Sequence, residues 1–295
     1  MDNKTEPFFN ILSIDSGGVR GFSTLAMLES LEMCIIAKLK DLKHPHTSTF
    51  RLAHCFQLIS GTSCGALLGC LLSDRKANRT VTEVIKIFKE KATEIFQRTL
   101  WHKIKTGWGL WGPVYDGSRL AHAIDSVVGQ LRLSELYPPM LVPAFDLKAE
   151  QPKVFVGSTE TLGTFKCSHT EDFYVRDILL AATAVPVFFP AHDMSSCPLS
   201  VQPYSSTLCD AGLFLNNPGV VALAMMKKHV PDMNRIRLVS FGTGTGKKPM
   251  NYYAWMKNAG WLSATWVLVA LLFFGQEGAI AGAVAGGLLG TAIEL

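Results

Sequence analysis

Short apolar runs alternate along the chain with stretches in which apolar residues recur at helical spacing. Leu25, Leu28, Leu31 and Ile35 show this spacing and predict a helix from residue 21 to residue 40. The apolar runs are short enough for buried strands, and they predict strands at residues 10–14, 56–59, 140–145, 153–156 and 236–241. The alternation predicts an α/β fold with a mixed, mostly parallel central sheet flanked by helices.

The length and the lack of internal linkers predict one main domain. A chain of 295 residues can bury a substantial core. No long linker or low-complexity tract divides residues 8–250, whereas residues 251–295 form an apolar, glycine-rich region with its own composition. The net charge of +4 is mild and no run of basic residues concentrates it, so nucleic-acid binding is not predicted.

The cysteines indicate a reducing compartment. There are seven, and none forms a C-x-x-C pair, which argues against both a zinc site and a full disulfide framework. Residues 1–7 are polar, and the apolar segment of a signal peptide does not follow them. We therefore expect a cytoplasmic protein.

A serine lies in a glycine-rich turn where a strand pattern passes into a helix pattern. Gly61, Ser63 and Gly65 form a G-x-S-x-G motif between the predicted strand 56–59 and the apolar segment 66–72. The glycines would let strand and helix approach closely, so that the serine hydroxyl stands above the sheet beside the first free amides of the helix. The pattern predicts that Ser63 is a nucleophile, the alternative being a simple turn between two core elements.

A second glycine-rich turn follows the first predicted strand. Residues 15–21 have the sequence DSGGVRG and lead into the predicted helix. Such a turn exposes several backbone N–H groups that suit a phosphate or the oxyanion of a tetrahedral intermediate. A dinucleotide site is disfavoured because the G-x-G-x-x-G order is absent. Arg20 would add positive charge beside these amides, unless it is only a solvated arginine at the start of the helix.

An aspartate precedes a third turn. Asp210 is followed by Ala211 and Gly212, and Asn217 and Pro218 then open another apolar helix as N-cap and first-turn residue. An aspartate in such a position is often only a local cap. It is also a carboxylate that could accept the proton of a serine nucleophile.

A Ser-His-Asp triad is the main alternative to a pair of residues. Only His229 follows Asp210 in the chain order Ser, Asp, His. It comes at the end of the helix predicted to begin at Pro218, where basic side chains commonly complement the helix dipole.

Residues 242–248 have the sequence GTGTGKK, but they lack the first glycine and the final Ser or Thr of a phosphate loop, so they predict a turn after a strand.

Together these motifs resemble the patatin-like phospholipases, a family of serine acyl hydrolases that use a Ser-Asp dyad without histidine. Three further segments match in the same order: residues 181–190 end in Phe-Pro, residues 208–218 lead into Asn-Asn-Pro, and residues 239–245 end in Gly-Thr-Gly-Thr. The resemblance runs from about residue 11 to residue 245. It implies a three-layer α/β sandwich in which residues 8–250 are the catalytic domain.

The resemblance implies a lipid acyl hydrolase of the phospholipase A or lysophospholipase type. Asp210 would accept the proton of Ser63, and an oxyanion hole would form from Gly17, Gly18, Arg20 and the amide of Cys64. This chemistry requires no metal or other cofactor. The expected substrate is a phospholipid or lysophospholipid at a membrane surface.

Three residues depart from the family's pattern. Ser16 stands where the family usually has glycine, Cys64 where threonine is frequent, and Ala211 where glycine is frequent. Ser16 matters most, because a side chain at a turn that needs a positive φ would cost about 1 kcal/mol or displace an oxyanion amide.

A carboxylate is a weak base toward a serine hydroxyl, so the site must raise its proton affinity by excluding water. Leu208, Leu213 and Phe214 are apolar neighbours in sequence that could do so.

Two other functions stay open at this point. One is a catalytically weak lipid-binding or membrane-remodelling protein on the same fold, and the other is a soluble carboxylesterase for short acyl esters.

Two segments could contact lipid. Residues 100–111 interleave three tryptophans with His and Lys, which suits the headgroup boundary of a bilayer or a lid near the site. In the C-terminal region Gly278, Gly282, Gly286 and Gly290 recur every fourth residue, which allows close helix packing. We expect residues 261–274 to pack on the core, and the glycine-rich segment could associate with a membrane, peripherally or integrally, or pair two chains.

Overall fold

The computed structural model describes residues 8–96, 113–157, 172–195, 204–227, 229–230 and 232–244. Residues 100–111 and 251–295, which carry the expectations about lipid contact and pairing, lie outside the described residues. The predicted domain boundary at residue 250 lies outside them as well.

Within the described residues a seven-stranded sheet forms the centre of the fold. Its strands are β1 (Phe9–Ile14), β2 (Leu58–Gly61), β3 (Met140–Asp146), β4 (Gln151–Val156), β5 (His192–Ser195), β6 (Ser205–Asp210) and β7 (Ile236–Phe241). The order is β5-β6-β3-β2-β1-β7, with β4 beside β3. β1 is parallel to β2 and β7, and β2 is parallel to β3, whereas β4, β5 and β6 pair antiparallel.

The helices of the described residues lie on both faces of this sheet. They are α1 (Gly21–Asp41), α2 (Cys64–Ser73), α3 (Val81–Ile95), α4 (Gly117–Val128), α5 (Val175–Thr183) and α6 (Gly219–Met226). Successive residues of a strand point to opposite faces. Accordingly Leu12 and Ile59 belong to the larger core with α1 to α5, while Ile11 and Leu58 pack against α6 in a smaller one. The mixed α/β sheet flanked by helices confirms the predicted fold class.

All five strands predicted from apolar runs are present, with ends shifted by at most two residues. β5 and β6 were not predicted, because their sequences HDMS and SSTLCD are largely polar. Two polar side chains of β6 have partners: the Ser206 hydroxyl donates to Asp146, and the Thr207 hydroxyl donates to Asp193 at 2.6 Å. Polar side chains that are hydrogen-bonded can occupy a strand at little cost.

The parallel strands carry the glycine-rich turns to one edge of the sheet. β1 ends before residues 15–20, β2 ends before Ser63, and β7 ends before Thr243. Because these three strands are adjacent and parallel, their carboxyl ends lie side by side. This edge is where the candidate site lies.

Candidate active site

Ser63 lies in a sharp turn between β2 and α2. Its backbone has φ 54° and ψ −122°, a conformation that L-residues rarely adopt. The turn is possible because Gly61 packs against the first turn of α2, where a side-chain carbon on Gly61 would lie 2.3 Å from the Gly65 carbonyl oxygen. Strain of this kind is common at functional residues, where the surrounding structure maintains it.

Asp210 comes to the same place from another part of the sheet. The register pairs Ile59 of β2 with Met140 of β3, and Asp210 of β6 with Ala144 of β3. β3 therefore lies between the strand that leads into Ser63 and the strand that ends in Asp210. Two strand spacings of about 4.8 Å separate β2 from β6, and the Ser63 hydroxyl bridges this gap far enough to interact with the Asp210 carboxylate.

The two oxygens of the Asp210 carboxylate have different surroundings. Oδ1 accepts the backbone N–H of Gly212 at 2.6 Å, as a cap of the short 3₁₀ turn Ala211–Leu213. Oδ2 is buried and has no hydrogen-bond partner among the described residues. A buried carboxylate oxygen without a partner is costly, so this oxygen is available to accept a proton.

Burial raises the pKa of Asp210 to about 6, and interactions with the Ser63 hydroxyl and the Gly212 N–H partly offset this rise. The serine hydroxyl is therefore near the carboxylate, although the free Oδ2 shows that the contact falls short of a well-formed hydrogen bond. Loose contacts between nucleophile and base are common when no substrate is bound. A carboxylate of raised proton affinity is a better base than an ordinary aspartate.

The apolar shielding of Asp210 differs from the sequence-based expectation. Leu208 is fully buried, but Leu213 and Phe214 are 66% and 48% exposed. These two residues lie in the turn beyond the end of β6, so they point to solvent. The expectation that they exclude water was wrong, and the burial of Asp210, 3% exposed, arises from its position within the sheet.

Cys64 follows Ser63 and packs against the start of α1. A side-chain carbon on Gly21 would lie 2.5 Å from the Cys64 sulfur. Burial, followed by the nearby charge of Asp210, raises the pKa of the Cys64 thiol to about 12, although the Gly21 N–H lowers it slightly. The thiol therefore stays protonated at neutral pH and is a poor nucleophile. The group that Cys64 can offer to a reaction is its backbone amide.

The turn after β1 presents free backbone amides. Among the described residues, no acceptor takes the N–H groups of Gly17, Gly18 or Val19. Gly18 has a positive φ of 54°, whereas Ser16 does not, so the strain expected at Ser16 is absent. The amide of Arg20 already donates to the Gly17 carbonyl at 3.0 Å, and the Arg20 side chain is exposed. Val19 was not predicted as part of this set.

The segment after α5 supports the aspartate. The carbonyl of Ala184 accepts the backbone N–H of Asp210 at 3.0 Å. Val187, three residues on, has φ 73°, an unusual conformation for a β-branched residue. Its carbonyl accepts the N–H of Val114 at 3.0 Å, which helps to maintain the turn. The segment 181–190, noted in the sequence because it ends in Phe-Pro, thus fixes the backbone at Asp210.

The described structure provides no histidine for a triad. The groups that shift the pKa of Asp210 include no histidine. His229 lies three residues beyond the end of α6 at Met226 and is not one of these groups. Within the described residues there is also no group of three or more His, Cys, Asp or Glu that could hold a metal ion.

Among the described residues, each helix is too short or too polar to cross a bilayer.

Comparison with known proteins gives a consistent result. The family model described as "Patatin-like phospholipase" matches residues 12–223. The chain is 29% identical to "Patatin-like protein 1" of Arabidopsis thaliana, over 87% of this chain and 64% of that protein. It is 30% identical to "Patatin-like protein 2" of Oryza sativa subsp. indica, over 75% and 53% respectively.

A potato protein, "Patatin-T5" of Solanum tuberosum, is 26% identical over 88% of this chain and 66% of its own length. The chain thus spans about half to two thirds of the length of these relatives.

Proposed function

The chain belongs to the patatin-like phospholipase family, and from this premise we propose that it is a lipid acyl hydrolase with Ser63 as nucleophile and Asp210 as base. The substrate class is a glycerophospholipid or lysophospholipid presented at a membrane surface. The reaction is cleavage of a fatty acyl ester, of the phospholipase A or lysophospholipase type.

The observation that carries this proposal is the free, buried Oδ2 of Asp210 beside a strained serine. Ser63 is held at φ 54° in the turn, and Asp210 has a pKa raised to about 6 by burial. The carboxylate is thus ionised at neutral pH and is a stronger base than usual. The amides of Gly17, Gly18 and Val19, and that of Cys64, are further support, because an oxyanion needs such donors.

In the proposed first half-reaction the Ser63 oxygen bonds to the acyl carbonyl carbon as its proton passes to Asp210 Oδ2. The oxyanion that forms is stabilised by the free amides of the Gly17–Gly18 turn and of Cys64. The intermediate collapses by breaking the ester C–O bond, and the glycerol oxygen leaves with the proton held by Asp210. The product is an acyl ester on Ser63.

The second half-reaction uses the same groups with water as nucleophile. Water gives a proton to Asp210 as its oxygen bonds to the acyl carbon. The Ser63 oxygen then leaves and recovers that proton, which releases the fatty acid and restores the starting state.

The test is fatty-acid release from mixed phospholipid vesicles by the intact chain, beside Ser63→Ala and Asp210→Asn. We expect both substitutions to reduce release by at least about 1000-fold. Asp232→Asn is a matched control, because Asp232 also caps a 3₁₀ turn by accepting an N–H two residues on, at 3.0 Å. It should retain full activity, and circular dichroism should show all variants folded.

Two outcomes contradict the proposal. Release that persists in both variants rules out the dyad. Absence of release by the intact chain, together with vesicle binding that survives Ser63→Ala, would instead favour a lipid-binding protein on this fold. Turnover of a dispersed short-chain ester with no gain at a vesicle surface would favour a soluble carboxylesterase.

A further inference from the structure

Thr243, just beyond β7, contacts the peptide group that joins Ser16 to Gly17. The N–H of this peptide is the first free amide of the turn after β1. Its hydroxyl donates to the carbonyl of Ser16 at 3.1 Å, across 227 positions of sequence. In a trans peptide the C=O of one residue and the N–H of the next lie in one plane and point in opposite directions. Fixing the Ser16 carbonyl therefore fixes the direction of the Gly17 N–H, which has no acceptor among the described residues.

Packing holds the same peptide from the side. A side-chain carbon on Gly17 would lie 2.3 Å from the Thr243 methyl carbon and 2.4 Å from its hydroxyl oxygen. The threonine side chain therefore fills the space that a side chain at Gly17 would need. The close fit leaves the turn no room to move toward β7.

The residues around Thr243 are themselves anchored. The carbonyl of Gly242 accepts the hydroxyl of Thr24 at 3.1 Å, and Thr24 is fully buried on α1. On the other side of the turn, the Ser16 N–H donates to the carbonyl of Asn216 at 3.0 Å. The Ser16 peptide groups are thus held between the end of β7 and the segment that follows Asp210.

From these contacts we propose that Thr243 is a positioning residue for the oxyanion hole, an inference that rests on the proposed function. It aims the Gly17 N–H at the position of the oxyanion. A hydrogen bond accepted by the carbonyl also polarises the peptide and makes its N–H a stronger donor. Donors fixed before the reaction lower the barrier because they need not reorient as charge develops.

The experiment compares Thr243→Val, Thr243→Ser and Thr93→Val with the intact chain in fatty-acid release from phospholipid vesicles. Valine keeps the shape of threonine but loses the hydroxyl, and serine keeps the hydroxyl. Thr93 donates to the Lys89 carbonyl at 3.0 Å on the exposed face of α3, so its valine variant loses a similar bond away from the site. We expect Thr243→Val to lower kcat about 10- to 100-fold with little change in KM. The other two variants should stay within about threefold of the intact chain.

A second readout separates positioning from general damage to the fold. The Ser63 oxygen adds to the carbonyl carbon of a long-chain trifluoromethyl ketone, and the adduct places an oxyanion in the oxyanion hole. In Thr243→Val the inhibition constant of this ketone should rise by about the same factor by which kcat/KM falls. Binding of a non-hydrolysable ether phospholipid, which forms no oxyanion, should not change.

The two proposals fail in different ways. If the intact chain releases no fatty acid, the proposed function fails. If the intact chain is active and Thr243→Val retains its kcat and its affinity for the ketone, the positioning role is overturned. A loss in Thr243→Val that Thr243→Ser shares in full, or a loss of ether-lipid binding alongside kcat, overturns it too, because packing alone would then explain the effect.

Discussion

Gly65 of α2 lies so close to Ile14 of β1 that a side-chain carbon on Gly65 would lie 2.2 Å from the Ile14 carbonyl oxygen. The contact is between two backbones, so no flexible side chain can move aside to relieve it. It sets the helix that follows Ser63 directly against the strand that leads into the free amides. The distance between Ser63 and the free amides of the turn after β1 therefore depends on the absence of a side chain at Gly65.

Gly65→Ala should destabilise the protein by about 3 kcal/mol, since overpacking against rigid backbone forces the helix away from the strand. The free energy of unfolding in urea measures this. Gly69→Ala on the same helix is the control, because the added carbon would meet the flexible end of Met140 at 2.6 Å. We expect that variant to lie within about 1 kcal/mol of the intact chain, as alanine also favours the helix. Equal costs at both positions would contradict the backbone contact.

The strain at Ser63 predicts a difference in stability between two variants that lack the Ser63 hydroxyl. Ser63→Gly removes the side-chain carbon that disfavours φ 54° and ψ −122°, whereas Ser63→Ala retains it. The glycine variant should be the more stable of the two by about 1 kcal/mol, even after the greater chain entropy of unfolded glycine is counted. Thermal or urea unfolding of the pair checks this. An alanine variant as stable as the glycine variant would show that the conformation carries no strain.

The pKa of Asp210 predicts the acid side of the activity profile. Since the base must be ionised to accept the serine proton, kcat/KM should rise with pH through an apparent pKa of about 6. The substrate should be a neutral or zwitterionic lipid that does not titrate in this range. An acid limb near pH 4, the ordinary range of an aspartate, would mean that burial does not raise the proton affinity of Asp210.

The same raised pKa predicts that Asp210→Asn stabilises the fold while abolishing activity. The folded pKa, about 6, lies above the ordinary value of 3.8, so the folded state favours the protonated form. This stabilisation is complete below about pH 4 and is lost as the pH rises to about 6. At pH 7 the variant should be more stable than the intact chain by up to about 3 kcal/mol.

Unfolding measured from pH 4 to pH 7 tests the sign. The difference in unfolding free energy between variant and intact chain should grow between pH 4 and pH 6 and stay constant above. Asp232→Asn, which removes a carboxylate from an exposed cap, is the matched control for the loss of charge. A variant less stable than the intact chain at pH 7 would indicate that the carboxylate is stabilised by a partner rather than penalised by burial.

Local patterns in the sequence predicted the elements that carry the site. β7 occupies its predicted range, and α1 differs from its predicted end by one residue. The turn at Ser63 could be predicted because glycines at both ends and apolar runs on both sides leave few other structures. Such features depend on residues near one another in the chain.

Other features could not be predicted because they depend on distant parts of the chain. The hydroxyls of Ser206 and Thr207 in β6 are satisfied by Asp146 and Asp193, and no local pattern indicates those partners. The exposure of Leu213 and Phe214 follows from where the sheet ends, and hydrophobicity alone suggested the opposite. The family's strand-end motif marked Thr243 without indicating that it contacts Ser16.

The sequence by itself determined the turns, because glycine, serine and aspartate at fixed spacing set local backbone geometry. Only the tertiary structure decided how these turns combine. Parallel pairing of β1, β2 and β7 places three turns at one edge, and the pairing of β3 with both β2 and β6 brings Asp210 near Ser63. Burial at that position then raises the pKa of Asp210, and solvent exclusion of this kind is a property of the whole packed domain.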